Sequence, residues 1–356
     1  MDIISKKNNS GGSQRIPERE EQPERTLKNF TLPNKKGRIL KIIFISIASF
    51  SVILLLLFFR FEYTFSIINS NKENYSQIIT KYQPTKEDNY IEKNRLDILL
   101  MGIRGSDDPN GGMLTDTIMV LSYNTETKKA AIISVPRDLY LKIPGVKKDK
   151  INAAYVYGEE VQRGFGLQLA KITVGYSLGI DIDHAILVDF SAFQKLIDAI
   201  GGIDVYTASE FRETQQWQGM DIHYEKGWNH LNGEEALYYS RARFMSNDFE
   251  RARRQQEIMV GLKNKLLSPN MLANPNRIFD ILKIIENNVR MDLDRMSIMQ
   301  AVSIIGSTPN SDIKKYIIKN GESGFLYQTT INGAYVLLPK NDTFKDLRDF
   351  IRNILN

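Results

Sequence analysis

The sequence predicts a mixed α/β (α+β) fold: a single external domain with a central mixed β-sheet flanked by helices, preceded by one N-terminal transmembrane helix. Three observations predict it. Residues 42–59 form an uncharged apolar run, residues 96–136 hold three short β-rich runs separated by turns, and from residue 164 onward helical periodicity alternates with short strands. With 356 residues, 42% of them hydrophobic and 25% charged, the chain has enough apolar surface for a substantial core, which excludes disorder throughout.

The apolar run IIFISIASFSVILLLLFF at 42–59 would span about 27 Å as a helix, the thickness of a bilayer core. Lys35, Lys36, Arg38 and Lys41 crowd its N-terminal side, so the positive-inside rule places residues 1–41 in the cytoplasm and the main domain outside the cell membrane. Arg60, Phe61, Glu62 and Tyr63 follow where a cleaved signal needs small residues, and an uncleaved, single-pass signal-anchor is expected. Residues 1–41 read as a disordered tail and 60–94 as a polar extracellular stem.

The main domain begins near residue 95. LDILLMGI (96–103), DTIMVLSY (116–123) and KAAIISVP (129–136) are predicted strands, the last two joined by a TETK turn. Their nearly continuous apolarity places them in a sheet covered on both faces. Helix 164–178, strand AILVDF (185–190), helix SAFQKLIDAI (191–200) closed by Gly201 and Gly202, and a short IDVY strand follow. Helices are predicted at 233–243, 248–267, 276–288 and 294–305, with strands IKKYII (313–318) and YVLLP (335–339) and a final FKDLRDFIRNIL helix. Residues 268–356 either complete the domain or form a small appendage.

Three polar patches interrupt this apolar pattern at element boundaries. GIRGSDDPNGGMLTDT delivers Asp116 to the start of a strand, with Asp107 and Asp108 nearby as further oxygen donors for a hard cation such as Mg²⁺. Pro136-Arg137-Asp138 exposes a cation and an anion where a buried strand ends, the position at which ligands dock on such sheets; a plain surface ion pair is the competing reading. RARFMSNDFERARRQQ (241–256) carries Arg241 and Arg243 at one helix end. On the next helix, Arg251, Arg254 and Gln255 share a face at i, i+3, i+4 spacing. Guanidinium forks suit a phosphate or pyrophosphate, although a basic helix is more commonly a wet face.

Several classes are excluded or disfavoured. The absence of cysteine removes disulfides, thiolate catalysis and Cys-based zinc, and three scattered histidines offer little for metal chemistry. No Walker loop occurs, which disfavours ATP or GTP as donor, and no nucleic-acid recognition motif accompanies the net charge of +5. Gly175-Tyr176-Ser177-Leu178-Gly179 matches a hydrolase nucleophile elbow in letters, but it ends a predicted helix where the elbow needs a strand, so Ser177 reads as a last-turn residue.

LTDTIMV, ISVPRDLYLKIPG, KINAAYVYG, VDFSAFQKLIDAIGGIDV, HLNGEEALYYSRAR and DFERARRQQ, in that order after one membrane span, resemble the LytR-CpsA-Psr family of bacterial cell-wall glycopolymer ligases. The resemblance covers about residues 96–267 and marks 95–267 as the catalytic domain. It implies a phosphotransferase that moves a phosphoglycosyl polymer from a polyprenyl-pyrophosphate carrier to a peptidoglycan sugar hydroxyl, with Mg²⁺ at the pyrophosphate and the lipid tail in an apolar tunnel. Its expected partners are that lipid-linked glycopolymer, the peptidoglycan acceptor and the lipid bilayer. Carried over by motif, Asp116 sits with the metal, and Arg137, Arg241, Arg243, Arg251 and Gln255 contact the phosphates. Arg254, Asn152 and Lys171 are weaker candidates. Asp138 orients Arg137 or accepts the hydroxyl proton. Ile132, Ile186, Leu196 and Ile200 serve equally as core or tunnel wall.

One departure stands out. The family's first strand runs into G-x-D-x-R, whereas Gly102-Ile103-Arg104-Gly105 places arginine at the acidic position. Either Asp107 or Asp108 substitutes, or metal binding weakens and Arg104 takes over charge neutralisation. A non-catalytic envelope regulator using the same anion pocket, and an external pyrophosphatase with water as acceptor, are the rival functions.

Overall fold

The computed structural model describes residues 94–105, 112–214, 221–243 and 247–355. The expected tail (1–41), apolar run (42–59) and stem (60–94, all but Asn94) lie outside these, as do Asp107 and Asp108; among the described residues no helix is long and apolar enough to cross a membrane.

The described residues begin with three antiparallel strands, β1 (Arg95–Ile103), β2 (Thr117–Asn124) and β3 (Ala130–Ser134), followed by the small pair β4 (Tyr140–Lys142) and β5 (Lys148–Lys150). Helices α1 (Ala154–Val161) and α2 (Gly166–Leu178) lead into β6 (His184–Asp189), α3 (Phe190–Ala199) and β7 (Ile203–Thr207). Short strands β8 (Phe211–Glu213), β9 (Ile222–Tyr224) and β10 (Gly227–Leu231) precede α4 (Gly233–Arg241) and the long α5 (Asp248–Leu266). Then come α6 (Pro275–Asn288), β11 (Val289–Met291), α7 (Arg295–Ser307), β12 (Ile313–Ile317), the hairpin β13 (Leu326–Ile331) and β14 (Ala334–Pro339), and α8 (Lys345–Asn353).

The six-stranded sheet has the order β11-β6-β1-β2-β3-β12, with β1 parallel to β6 and β3 parallel to β12 while its other pairs run antiparallel. Side chains alternate across it. Leu99, Met101, Ile118, Val120, Ile133, Ala185 and Leu187 join a buried cluster with α1, α2 and α8, including Tyr155, Phe165, Leu169 and Ile351. On the opposite face, Ile98, Met119 and Ile132 are buried while Leu100, Leu121, Ile186 and Val188 are half-buried, so that face is covered only in part. A second cluster, including Ile197, Ile203, Val205, Tyr239 and Ile258, binds α3, β7, α4 and α5 together.

Local chemistry fixes the element ends. Asp189 caps α3 by accepting from the Ala192 N–H, and Asn232 with Glu235 forms a capping box on α4. Asn247 accepts from the N–H groups of Phe249 and Glu250, starting α5 just before its arginines. Helix α2 ends at Gly179, whose φ of +69° favours glycine and where a Cβ would meet Arg348 at 2.7 Å, and Ser177 is buried there with its hydroxyl on the Val174 carbonyl.

Residues beyond 267 supply β11 at one sheet edge and β12 at the other. Helix α8 docks through Arg348, which donates to the Tyr176 carbonyl at the end of α2 and lies 4.7 Å from the Tyr176 ring centre. Arg95 ties the same helix to β1: it donates to the Ile351 carbonyl at 3.0 Å and pairs with buried Asp97 at 2.7 Å, while Ser122 donates to Asp97. Removing one partner of a buried pair leaves an uncompensated charge. Arg95→Met is therefore expected to lower the free energy of unfolding by about 3–5 kcal/mol. Arg95→Met with Asp97→Leu should recover much of that loss. Urea unfolding of both variants checks this, and a single variant as stable as wild type contradicts it.

Candidate functional site

The carboxyl ends of β1 and β3 meet the start of β2 at one edge of the sheet, where Gly102 lies opposite Thr117 and Ser134 opposite Met119. A cleft of about 320 Å³ opens there, lined by Asp116, Thr117, Arg137 and Asp138 from the sheet side and by Asp248, Arg251 and Gln255 from α5. Gln328, Tyr335 and Leu337 of the β13–β14 hairpin line it as well.

Arg137 stands at the centre of a carboxylate ring. Its Nη1 donates to Asp116 Oδ1 at 2.6 Å, and its Nε lies 3.5 Å from both Asp138 Oδ2 and Asp248 Oδ2. That buried Nε makes no hydrogen bond, so the donor capacity of the guanidinium is not exhausted. Burial pulls the Arg137 pKa down, but Asp116, helped by its hydrogen bond and by Asp248 and Asp138, outweighs burial and raises it.

Arg251, 8% exposed, approaches from α5 and meets Asp248 Oδ1 at 3.2 Å. Burial is the largest influence on it and lowers its pKa; Arg137 and Arg243 add to that, while Asp248 and Asp116 oppose it. Gln255, one turn on, donates to Thr117 Oγ1 at 3.0 Å and to the Ser240 carbonyl, which fixes its amide at the cleft wall. Gln256 anchors the helix itself, donating to Ser134 Oγ at 2.8 Å and to the carbonyls of Tyr316 and Ile132.

The structure thus brings Asp116, Arg137, Asp138, Arg251 and Gln255 together, with Arg243 within electrostatic reach. Arg241 packs on the Phe190 ring, 4.3 Å from its centre, just beyond the end of β6. Asn152 contributes through its backbone: its carbonyl accepts from Thr115 and its N–H donates to the Arg137 carbonyl, bracing the two loops that carry Asp116 and Arg137. Asp138 Oδ1 is held by Lys150 at 2.5 Å, an arrangement suited to orienting Arg137.

Two expected phosphate contacts lie elsewhere. Lys171 pairs with Asp292 at 2.5 Å and donates to the Asp183 carbonyl, beside the amino end of β6 and therefore at the opposite end of the sheet from the cleft. Arg254 turns toward α4, donating to the carbonyls of Tyr239 and Ala242 and lying 4.9 Å from the Phe211 ring centre. It caps that helix's carboxyl end and does not line the cleft. Its shared face with Arg251 is real on a helical wheel, yet the neighbouring helix meets Arg254 first.

Asp248, Lys150 and the β13–β14 residues were not among the sequence candidates. Asp248 carries a signal, since it follows the N-cap Asn247 and precedes Arg251 by three; Gln328 and Tyr335 carry none.

The described residues were tested as a magnesium site. Among them no three His, Cys, Asp or Glu side chains group to hold a metal ion. Among the described residues between β1 and β2, Asp116 is the one carboxylate, with one oxygen on Arg137 and the other 3.6 Å from Arg104 Nε. Taken alone, the described carboxylates do not form a cation site; Asp107 and Asp108 lie outside the described residues.

The chain is a mixed α/β domain with an arginine-and-carboxylate cleft where its central strands end. The chain belongs to the LytR_cpsA_psr family, which it matches over residues 62–352. It is 30% identical to the regulatory protein MsrR of Staphylococcus aureus (strain COL) over 272 residues, 75% of this chain and 76% of that protein. It is 31% identical to the polyisoprenyl-teichoic acid–peptidoglycan teichoic acid transferase TagU of Oceanobacillus iheyensis over 255 residues, 71% of this chain and 74% of that one. Among solved structures, B. subtilis TagV matches with a TM-score of 0.58 at 28% identity, over 74% of this chain and 98% of that one. TagT bound to LIIa-WTA matches with a TM-score of 0.57 at 25% identity, over 74% and 91%.

The two arginines of α5 differ in a way stability measurements can separate. Arg254→Leu strands two buried carbonyls and is expected to cost about 2–4 kcal/mol. Arg251→Leu removes a cation that burial already disfavours and should leave stability within about 1 kcal/mol of wild type or above it. Urea denaturation of both variants checks this; equal losses would contradict the assignment.

Proposed function

We propose that this protein is a membrane-anchored phosphotransferase that moves a phosphoglycosyl polymer from a polyprenyl-pyrophosphate carrier to a peptidoglycan sugar hydroxyl. The observation that carries the reading is the convergence of Arg137 and Arg251, 114 positions apart along the chain, on one cleft with Asp116 and Gln255. Guanidinium groups are permanent cations with forked donors, and a diphosphate is the ligand whose oxygens match several of them at once. The transferase relatives supply the glycopolymer and the peptidoglycan acceptor. The half-buried Leu100, Leu121, Ile186 and Val188 face supports an apolar seat for the carrier lipid, and the run at 42–59 supports the anchor with an extracellular domain.

In this reading the acceptor hydroxyl oxygen attacks the phosphorus that bears the sugar. The bond from that phosphorus to the bridging oxygen breaks, and polyprenyl phosphate leaves with the electron pair. Arg137 and Arg251 hold the diphosphate oxygens and oppose the charge that builds on the leaving phosphate. Oxygens of the diphosphate displace Asp116 from Arg137, and the released carboxylate takes the hydroxyl proton. Asp138, held by Lys150, keeps Arg137 oriented.

A second reading, ligand binding without turnover, is favoured by the name of the regulatory relative alone. The full chain, incubated with a labelled lipid-linked saccharide and a peptidoglycan oligosaccharide, should yield a lipid-free conjugate. Arg137→Ala and Arg251→Ala should each lower the rate by about a hundredfold or more. Binding without product supports the regulator, release of free phosphosaccharide supports hydrolysis, and full activity in both variants sinks the site assignment.

A further inference from the structure

Arg104 stands beside Asp116, a wall residue of the cleft, at the position where the resemblance to the family would put an acid, and its surroundings fix it there. It follows Ile103 at the end of β1 and precedes Gly105, which has φ of +88°. A Cβ on Gly105 would lie 2.8 Å from Cβ of Asp189, so the backbone turn that presents Arg104 is held by a close approach only glycine permits. The Arg104 side chain is one-third exposed, and its Nε sits 3.6 Å from Asp116 Oδ2. Arg137 holds the other oxygen of the same carboxylate. Two guanidiniums therefore flank Asp116, one from each side.

We infer that Arg104 is a diphosphate-binding residue that supplies the positive charge a divalent cation would otherwise bring, so that the cleft binds its diphosphate without Mg²⁺. The charge arithmetic favours this. An acid together with a divalent cation adds one net positive charge at this corner, and a lone arginine adds the same. The described carboxylates form no group able to hold a metal, and the one nearest the diphosphate position is already paired with cations on both oxygens. A third fork beside Arg137 and Arg251 gives the diphosphate three permanent cations on three different elements. The inference rests on the diphosphate reading of the cleft and adds to it a claim about which group neutralises the charge.

The test measures binding of farnesyl pyrophosphate to the full chain by calorimetry, in excess Mg²⁺ and in EDTA. Wild-type affinity should agree within about threefold between the two conditions, since its cations are permanent. Arg104→Gln should weaken binding by roughly ten- to a hundredfold in both, the range for losing a charge-assisted contact. Arg104→Asp should be as weak in EDTA but regain affinity with Mg²⁺, and with farnesyl pyrophosphate present it should hold Mn²⁺ visible by electron paramagnetic resonance, where wild type holds none. Unchanged thermal melts establish that both variants fold. A wild-type affinity that drops tenfold or more in EDTA overturns the inference, as does Arg104→Gln binding like wild type. Arg137→Ala separates the two levels: if it binds as tightly as wild type, or if wild type does not bind at all, the diphosphate reading itself fails.

Discussion

Two arginines in one partly buried cleft repel each other, and Asp248 is what makes their proximity tolerable. Its two oxygens are divided between Arg137 and Arg251, at 3.5 and 3.2 Å. It stands in the first turn of α5, where the helix dipole favours a negative charge, and the Asn247 cap fixes that turn. Without such a carboxylate, Arg251 would face both desolvation and the positive charge of Arg137, each of which already lowers its pKa. The cleft is thus an ion network whose anionic members hold its cations in position.

The scaffold delivers those groups from distant parts of the chain. Strand β3 ends at Ser134, and Gln256 grips both that residue and β12, so the sheet edge and α5 share one anchor. Arg251 and Gln255 then fall at the cleft because they lie five residues and one residue before the anchor on the same helix, four apart and so on one face. Asn152 braces the Asp116 and Arg137 loops through backbone hydrogen bonds, a structural role for a residue in a recognisable motif. The C-terminal hairpin closes the wall with Gln328 and Tyr335, and α8 secures the far side of the sheet through Arg348 and Arg95.

Most elements were legible in the sequence because their signals are local. The apolar runs from 96 to 136, the glycines after 178 and 200, and the Asn-led helix starts mark strands and helix ends with little help from the rest of the chain. Helix α1 and strands β4, β5, β8, β9, β10, β11 and β13 were missed; most of these strands are three residues long, and all take their partners from tertiary packing. At the site, Asp116, Arg137 and Arg251 were legible as charges at element boundaries. Lys171 and Arg254 show the limit: helical spacing says which residues share a face but not what that face meets. Arg254 meets the end of α4 and Lys171 meets Asp292, each decided by a contact across long sequence separation.

The same network sets a requirement on any ligand. Arg137 already has carboxylates around it, and Asp116 has a guanidinium on each side. A single carboxylate offered from solution would exchange one such pair for another and lose translational freedom in doing so. A dianion with several oxygens can satisfy Arg137, Arg251 and Gln255 together, replacing single ion pairs by forked, charge-assisted ones. The carboxylates therefore act as internal competitors that keep the arginines ordered and raise the threshold for weak anions. In the proposed function, selectivity for a diphosphate comes from the number of forked cations that must be engaged at once, and a lysine at either arginine position would lower that number by removing a fork.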